Sequence, residues 1–360
     1  MSNNEQEQLN ICNDCNREHP IGESRETADG RIICNDCFRE NYFRCERCER
    51  IYRNDSGGEG AYCEECSLEI EREEEREREE GIISPNNTLF VNKKSQYRNL
   101  PIGVEIEAEL KDDYDYDNVL DELDGSGYGI CEDGSLNRGV EVQVPASNGR
   151  RTKDLVIKAC RILEKYSYIQ DTCGLHVHIG YPSGLSAVKN ALTMSYVAEP
   201  VFFGVIPASR QNNHYCQAIR SHFNLNDILE AKAKDIDELV YSTQYGRSIS
   251  KNRMNLLKQE KYNNCRYYGV NIHSFFYRKT IEFRYHSGTL DPVKILNWAE
   301  LLKKILVYAK FNFNKDRVLE IERSENFDDR SKKLFETIGL SKKLRNYFLN
   351  RHLKFNPLRK

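Results

Sequence analysis

The 360-residue sequence contains no uninterrupted apolar run of about 18 residues, the length a membrane-spanning helix requires. Its first ten residues, MSNNEQEQLN, supply neither the basic flank nor the apolar stretch of a secretory signal, so a cytoplasmic protein with no membrane partner is expected. Positive charge is not in excess. Lys and Arg number 53 against 56 Asp and Glu, a formal net charge of −3, which excludes a globally basic nucleic-acid coat and leaves only local basic patches. A Gly-rich loop of the G-x-x-x-x-G-K-S/T type is also missing, so a Walker site is not the route to a nucleotide. Aromatic residues are not scarce: at 10% they are too many for a disordered tail. The length allows about two domains at ~150 residues each. Cysteine is abundant, with 13 residues; in a chain without an export signal these imply metal or reduced thiols, not a disulfide framework.

Eight of the cysteines lie in the first 66 residues as C-x2-C pairs: Cys12/Cys15, Cys34/Cys37, Cys45/Cys48 and Cys63/Cys66. A two-residue gap lets both thiolates of a knuckle reach one tetrahedral zinc ion, with Zn–S near ~2.3 Å. Four knuckles therefore make two four-cysteine sites for two Zn2+. The motifs ICNDC, IICNDC, RCERC and YCEEC resemble the knuckles of LIM-like and treble-clef zinc modules. Two features depart from the LIM pattern: seven residues separate Cys37 from Cys45, and Cys34 stands where that family has His. Sequential pairing of the knuckles is expected, with cross-braced pairing as the rival. His19 is read as a loop residue, with a spare ligand as the alternative. A module this small holds little apolar side chain, so metal must supply much of its folding energy. The mixed acids and arginines around it favour a protein or intramolecular contact over nucleic acid.

Residues 67–99 open with a nearly pure Glu and Arg run and read as a charged helical linker with no apolar stripe to bury. The segment Ser341 to Lys360 is the reverse, with seven Lys/Arg, no Asp/Glu and interleaved Leu344, Tyr347, Phe348, Leu353 and Phe355. It reads as an amphipathic helix closing the domain, with a polyanion contact as the alternative.

Between them, four segments alternate apolar with ionisable residues: Val104 to Leu110 with Glu105, Glu107 and Glu109; Val140 to Val144 with Glu141; Leu175 to Ile179 with His176 and His178; and Ile281 to His286 with Glu282 and Arg284. Side chains at i and i+2 share a strand face, so each segment turns apolar groups one way and titratable groups the other. Solvated strand faces favour Thr, Lys and Ser, and neighbouring carboxylates on one face repel. Carboxylates with added histidines make sense where divalent cations compensate them.

The succession GVEIEAEL, CEDGSLNRGVEVQVP, DTCGLHVHIG, SRQNNHYC, YYGVNIH and KTIEFRYHSGTLDPVKILNWAELL resembles the putative amidoligase family, carboxylate–amine ligases with a glutamine synthetase-like catalytic fold. The likeness covers about residues 100 to 310. It implies ATP-dependent amide formation, in which a carboxylate becomes an acyl phosphate and an amine then displaces phosphate. By motif match, Glu105, Glu107, Glu141, His176 and Glu282 are implied to hold Mg2+ or Mn2+ at the ATP phosphates. Arg284 would stabilise charge on the moving phosphoryl group, His178 would orient substrate or phosphate, and Asn271 would contact substrate. Asp133 is similar to an acidic residue that holds and partly deprotonates the incoming amine, though an Asp-Gly turn looks the same. Arg210 resembles an arginine for substrate carboxylate or phosphate, though a surface Arg would look no different.

The expected fold class is therefore α+β, with a largely antiparallel glutamine synthetase-like sheet, charged on one face and covered by helices on the other, preceded by the small zinc module. The expected organisation is a two-zinc module over 1–66, the linker over 67–99, a catalytic domain over 100–310 and a basic helical extension over 311–360. The expected partners are substrates bearing an amine and a carboxylate, whether small molecule, peptide or protein, with a protein partner at the zinc module. Two rival functions are a metal-dependent hydrolase and a zinc adaptor with a non-catalytic ligase-like domain. Arg284 argues against the first, since hydrolysis has little need of it. The intact set of Glu105, Glu107, Glu141, His176, Glu282 and Arg284 argues against the second.

Overall fold

The computed structural model describes residues 9–45, 48, 50–56, 63–66, 68, 100–112, 114–134, 136–211, 214–246, 248–260 and 263–357. The charged linker expected over 67–99 lies outside these residues, save for 68. The chain divides into two compact units, Met1–Phe90 and Val91–Lys360.

The first unit repeats one device. Strands β1 (Leu9–Ile11) and β2 (Glu18–Pro20) form a hairpin whose turn carries Cys12 and Cys15; β3 (Ser24–Glu26) and β4 (Ile32–Cys34) form a second hairpin leading into α1 (Asn35–Asn41); β5 (Tyr42–Arg44) and β6 (Ile51–Arg53) then repeat the first hairpin around Cys45 and Cys48. The repetition extends to the backbone: Cys12 N–H donates to Arg17 O at 2.9 Å and Cys45 N–H to Arg50 O at 2.8 Å. In the first turn Asn16 takes a left-handed backbone, φ 56°, a conformation Asn tolerates better than most side chains. Apolar burial is slight, with Cys12, Ile33, Cys34, Tyr42 and Ile51 forming one small cluster.

The second unit is built on β7 (Ile102–Leu110), α2 (Asp115–Leu123), β8 (Gly129–Asp133), β9 (Gly139–Ser147), α3 (Gly149–Tyr166), β10 (Ser167–Tyr168), β11 (Gly174–Gly180) and α4 (Leu185–Gly204). There follow α5 (Leu225–Glu230), α6 (Ile236–Tyr245), α7 (Lys251–Leu257), β12 (Val270–Asn271), α8 (His273–Arg278), β13 (Thr280–Ser287), α9 (Pro292–Phe311), α10 (Lys315–Glu322), α11 (Phe327–Thr337) and α12 (Lys342–Phe355). The strands make one seven-stranded sheet in the order β12-β13-β11-β7-β9-β8, with β10 also paired to β7, and every pairing is antiparallel. This is the expected α+β class.

The two-residue period places Val104, Ile106, Val140, Val142, Leu175 and Val177 in the core. There they meet the helices: α4 is apolar on nearly all sides, as a central helix must be. Helix α9 starts where Asp291 accepts hydrogen bonds from Val293 and Lys294 N–H with Pro292 in the first turn. It contributes Trp298, whose ring meets Phe202 edge-on at 5.3 Å. The segment 311–360 is not peripheral to this core: Val318, Ile321, Leu334, Phe335 and Phe348 are buried in the same cluster.

Candidate active site and metal centres

Every thiol knuckle finds its sequential neighbour. The sulfurs of Cys12, Cys15, Cys34 and Cys37 all lie within 4.8 Å of one another, as do those of Cys45, Cys48, Cys63 and Cys66. The Cys15–Cys34 and Cys48–Cys63 sulfur separations are both 3.9 Å. A tetrahedron with Zn–S near ~2.3 Å has edges of about 3.8 Å, so both clusters fit zinc. Backbone N–H groups support the sulfurs: Cys34 N donates to Cys12 at 3.3 Å and Cys63 N to Cys45 at 3.4 Å. For Cys12, burial opposes ionisation, but the N–H groups of Cys15 and Cys34 outweigh it and bring the thiol down to about 6. Burial and the neighbouring sulfurs push Cys37 and Cys66 the other way. Four thiolates cannot crowd together without a cation among them. The residue four beyond the second cysteine touches the cluster in both halves: His19 Nε2 lies 3.8 Å from Cys15 Sγ, and Tyr52 OH lies 3.6 Å from Cys48 Sγ.

In the second unit, strand register assembles the charged face. Glu105 of β7 stands opposite His176 of β11 and Gln143 of β9; Glu107 stands opposite Glu141; His178 stands opposite Glu282 of β13, which in turn faces Asn271 of β12. His176 places Nδ1 3.2 Å from Glu105 Oε2 and Nε2 3.3 Å from Glu107 Oε1. His178 Nε2 lies 3.0 Å from Glu105 Oε1 and 3.8 Å from Glu282 Oε1, yet it is buried without a properly directed hydrogen bond. An imidazole nitrogen stranded between two carboxylates is placed as a ligand atom would be.

Three overlapping donor sets result: Glu105/His178/Glu282, Glu105/Glu141/His176 and Glu107/Asp133/Glu141. Hard carboxylate oxygens with an added imidazole suit Mg2+ or Mn2+. His178 and His176 thus fall in separate candidate donor sets that share Glu105.

The electrostatics show how crowded this face is. Burial alone would raise Glu105, but the His178 charge and the hydrogen bond with His176 hold it well below the usual carboxylate range. Glu282 is likewise opposed by burial and brought down to about 2 by Arg284, whose Nη1 donates to Glu282 Oε1 at 2.5 Å. Glu141 goes up, from burial and then the Glu105 charge, although Gln143 Nε2 donates to it at 2.6 Å. Asn271 Nδ2 donates to Glu282 Oε2 at 2.6 Å while its Oδ1 accepts Ser274 N–H at 3.2 Å, which fixes the second carboxylate oxygen.

Arg210 reaches this face from outside the sheet, from the short turn Ala208–Arg210 after α4. It is 3% exposed, so it is not a surface residue, and its Nη2 donates to Arg284 O at 3.2 Å.

Several positions depart from a pure alternation reading. Glu109 does not join the donor sets: its carboxylate accepts the Asn137 and Arg138 N–H groups at 3.1 and 3.0 Å and anchors the β8–β9 turn. His286, which the period of β13 directs toward the charged face, points into the helices. An extra residue sits between the Val177–Phe283 and Leu175–His286 pairs, so the face shifts there. His286 instead packs on Trp298, ring centroids 5.4 Å apart. Sequence reasoning missed Gln143, Thr280, whose hydroxyl lies 3.3 Å from His178 Nδ1, and Gly174, whose N–H donates to Glu107 Oε2 at 2.6 Å. Only Gly174 left a signal, as the glycine opening the H-x-H strand. Arg278 of α8 stands 3.7 Å from Glu105 Oε1.

Antiparallel strands thus present carboxylates, histidines and an E-x-R pair on one face. The chain belongs to the family described as putative amidoligase enzyme, whose family model matches residues 71–306. A comparison with curated proteins finds no match. No helix among the described residues is long and apolar enough to cross a membrane.

Proposed function

We propose that the protein is an ATP-dependent carboxylate–amine ligase that forms an amide or isopeptide bond through an acyl phosphate, with its N-terminal module holding two Zn2+ and recruiting a partner or substrate. The observation that carries this reading is the convergence of Glu105, Glu107, Glu141, His176, His178 and Glu282 from four strands, with Arg284 bonded to Glu282 in their midst.

In this reading those carboxylates and imidazoles hold Mg2+ or Mn2+, which when bound neutralises charge on the ATP phosphates. Arg284 presents its remaining N–H groups to the transferring phosphoryl group while Glu282 and Asn271 keep it in place. Arg210 takes the substrate carboxylate, or the phosphate it acquires. The substrate carboxylate oxygen attacks the γ-phosphorus and ADP leaves. The amine nitrogen, stripped of a proton by Asp133, then attacks the acyl carbon, and phosphate departs with the bonding pair. Asp133 shares a donor set with Glu107 and Glu141, at the opposite end of the face from Asn271. Phosphoryl transfer explains the half-buried Arg284 better than hydrolysis does.

The test is incubation with ATP, Mg2+ and a pool of amino acids and peptides. Mass spectrometry should find products lighter by one water than the summed substrates, with ADP released. Glu282→Ala and Glu107→Ala should each lower Mg2+-dependent ATP turnover by about 10²-fold or more, with zinc content unchanged. Full turnover by both variants, or product formation without nucleotide, would overturn the proposal.

A further inference from the structure

Beside Arg284 lies a cluster of rings that the chemistry above does not use. His214, Tyr215 and Tyr267 have centroid separations of 5.3, 5.5 and 5.5 Å, and the Arg266 guanidinium lies 4.9 Å from the Tyr267 centroid. Tyr215 is 50% exposed. Exposed rings gathered into one patch mark a contact surface more often than scattered single ones do.

The backbone fixes this patch to the charged face. Tyr215 O accepts Arg284 Nε–H at 3.1 Å. Gln217 N–H donates to Tyr267 O at 2.7 Å, Gly269 N–H to Gln217 O at 2.8 Å, and Arg284 N–H to Gly269 O at 2.8 Å. Both ring-bearing segments are therefore stitched to each other and to β13. Gly269 permits the close approach, because a Cβ there would come within 2.1 Å of the Tyr285 ring.

A second observation points to a ligand at the same end. Arg210, from the segment that also carries His214 and Tyr215, is buried, and its Nε has no hydrogen-bond partner. Among the described residues no carboxylate forms an ion pair with it. A buried guanidinium left this way calls for an anion from outside the chain. One end of the face thus offers a buried cation without an ion-pair partner and a fixed group of rings, His214 and Tyr215 exposed and Tyr267 half-buried.

We infer that His214, Tyr215 and Tyr267 form a subsite for a flat aromatic ring on the ligand whose anionic group meets Arg210 and Arg284. The ring stacks on or edges against Tyr215 and Tyr267, and Arg266 adds a cationic partner for its π face. Two ligands of the proposed reaction can carry such a ring: the nucleotide, through its base, and the carboxylate substrate, through an aryl group. The inference rests on the ligase reading for this choice of ligands.

Calorimetric titration of the full-length protein separates the cases with two matched pairs: Mg-ATP against Mg-tripolyphosphate, and phenylacetate against hexanoate. Tyr215→Ala and Tyr267→Ala should weaken the ring-bearing member of one pair roughly tenfold, the order expected for a lost stack, and leave its ringless partner unchanged. Tyr215→Phe should restore binding. Loss confined to Mg-ATP assigns the ring to the base; loss confined to phenylacetate assigns it to the acid. Equal loss for ringed and ringless ligands, or no loss for any, overturns the subsite. Wild-type protein that turns over ATP but shows no ring preference sinks the subsite alone. Ring-selective binding of phenylacetate without any nucleotide binding or turnover sinks the ligase reading and leaves the subsite standing.

Discussion

Gly174 has almost no room for a side chain. A Cβ at this position would meet Glu107 Oε2 and His176 Nε2 at 3.0 Å and Arg210 Nη2 at 3.2 Å. All three belong to the proposed active site, and the Gly174 N–H itself holds Glu107. Gly174→Ala should therefore displace the carboxylate and imidazole by a few tenths of an ångström. We expect ATP turnover to fall at least about tenfold, as misplacement near reacting groups commonly does, with the far-UV circular dichroism spectrum unchanged. Unchanged turnover would show that the face has slack. The acids and histidines of this face were legible as candidates, because alternation and composition are local properties. The roles of Gly174, Gln143 and Glu109 were not, since each depends on what crosses from another strand.

Strand β13 shows the same division. Its apolar-polar period correctly separates Ile281 and Phe283 from Glu282 and Arg284, and then the extra residue breaks it. His286 is left among helices, where Nδ1 donates to Ser287 O at 2.7 Å and Nε2 lies 3.4 Å from Arg351 Nη2. Burial lowers its pKa to about 3, with the nearby arginines acting in the same direction. A histidine that is neutral when folded but titrates normally when unfolded stabilises the fold above about pH 6.5. That stability is lost as pH falls toward 3, by up to roughly 1.4 kcal/mol per pH unit. Thermal unfolding between pH 7 and pH 5 should accordingly show a shallower fall in Tm for His286→Gln than for the wild type. An equal slope would mean that His286 is accessible to protons in the folded state. No sequence pattern announced this bulge.

The molecule as a whole joins two units held by different forces. The second encloses one continuous core that reaches from β7 through α4 and α9 to α12, with Phe348 near the C-terminus buried beside Phe335. The first has two small clusters, each containing thiols of one four-cysteine group that could hold a metal. Area that small cannot offset the entropy of ordering the segment, so its stability should follow its metal. Elemental analysis should give close to two zinc ions per chain. Chelation should then abolish amide protection in β1 through β6 while β7, β9 and β11 stay protected in hydrogen exchange. Persistent protection of the first unit without zinc would contradict this account.

Local rules made two things readable in advance: the thiol knuckles, because a two-residue gap lets both sulfurs face one ion; and the strand faces, because side chains alternate every two residues. The rest waited on contacts between distant segments. Glu107 meets Gly174 across 67 positions, Glu105 meets His176 across 71 and His178 meets Thr280 across 102. Which carboxylates stand close enough to share an ion, why Arg210 is buried and where the rings gather are matters of strand order and register. Those are set by how apolar faces pack, and the core is satisfied without regard to the chemistry assembled on its other side.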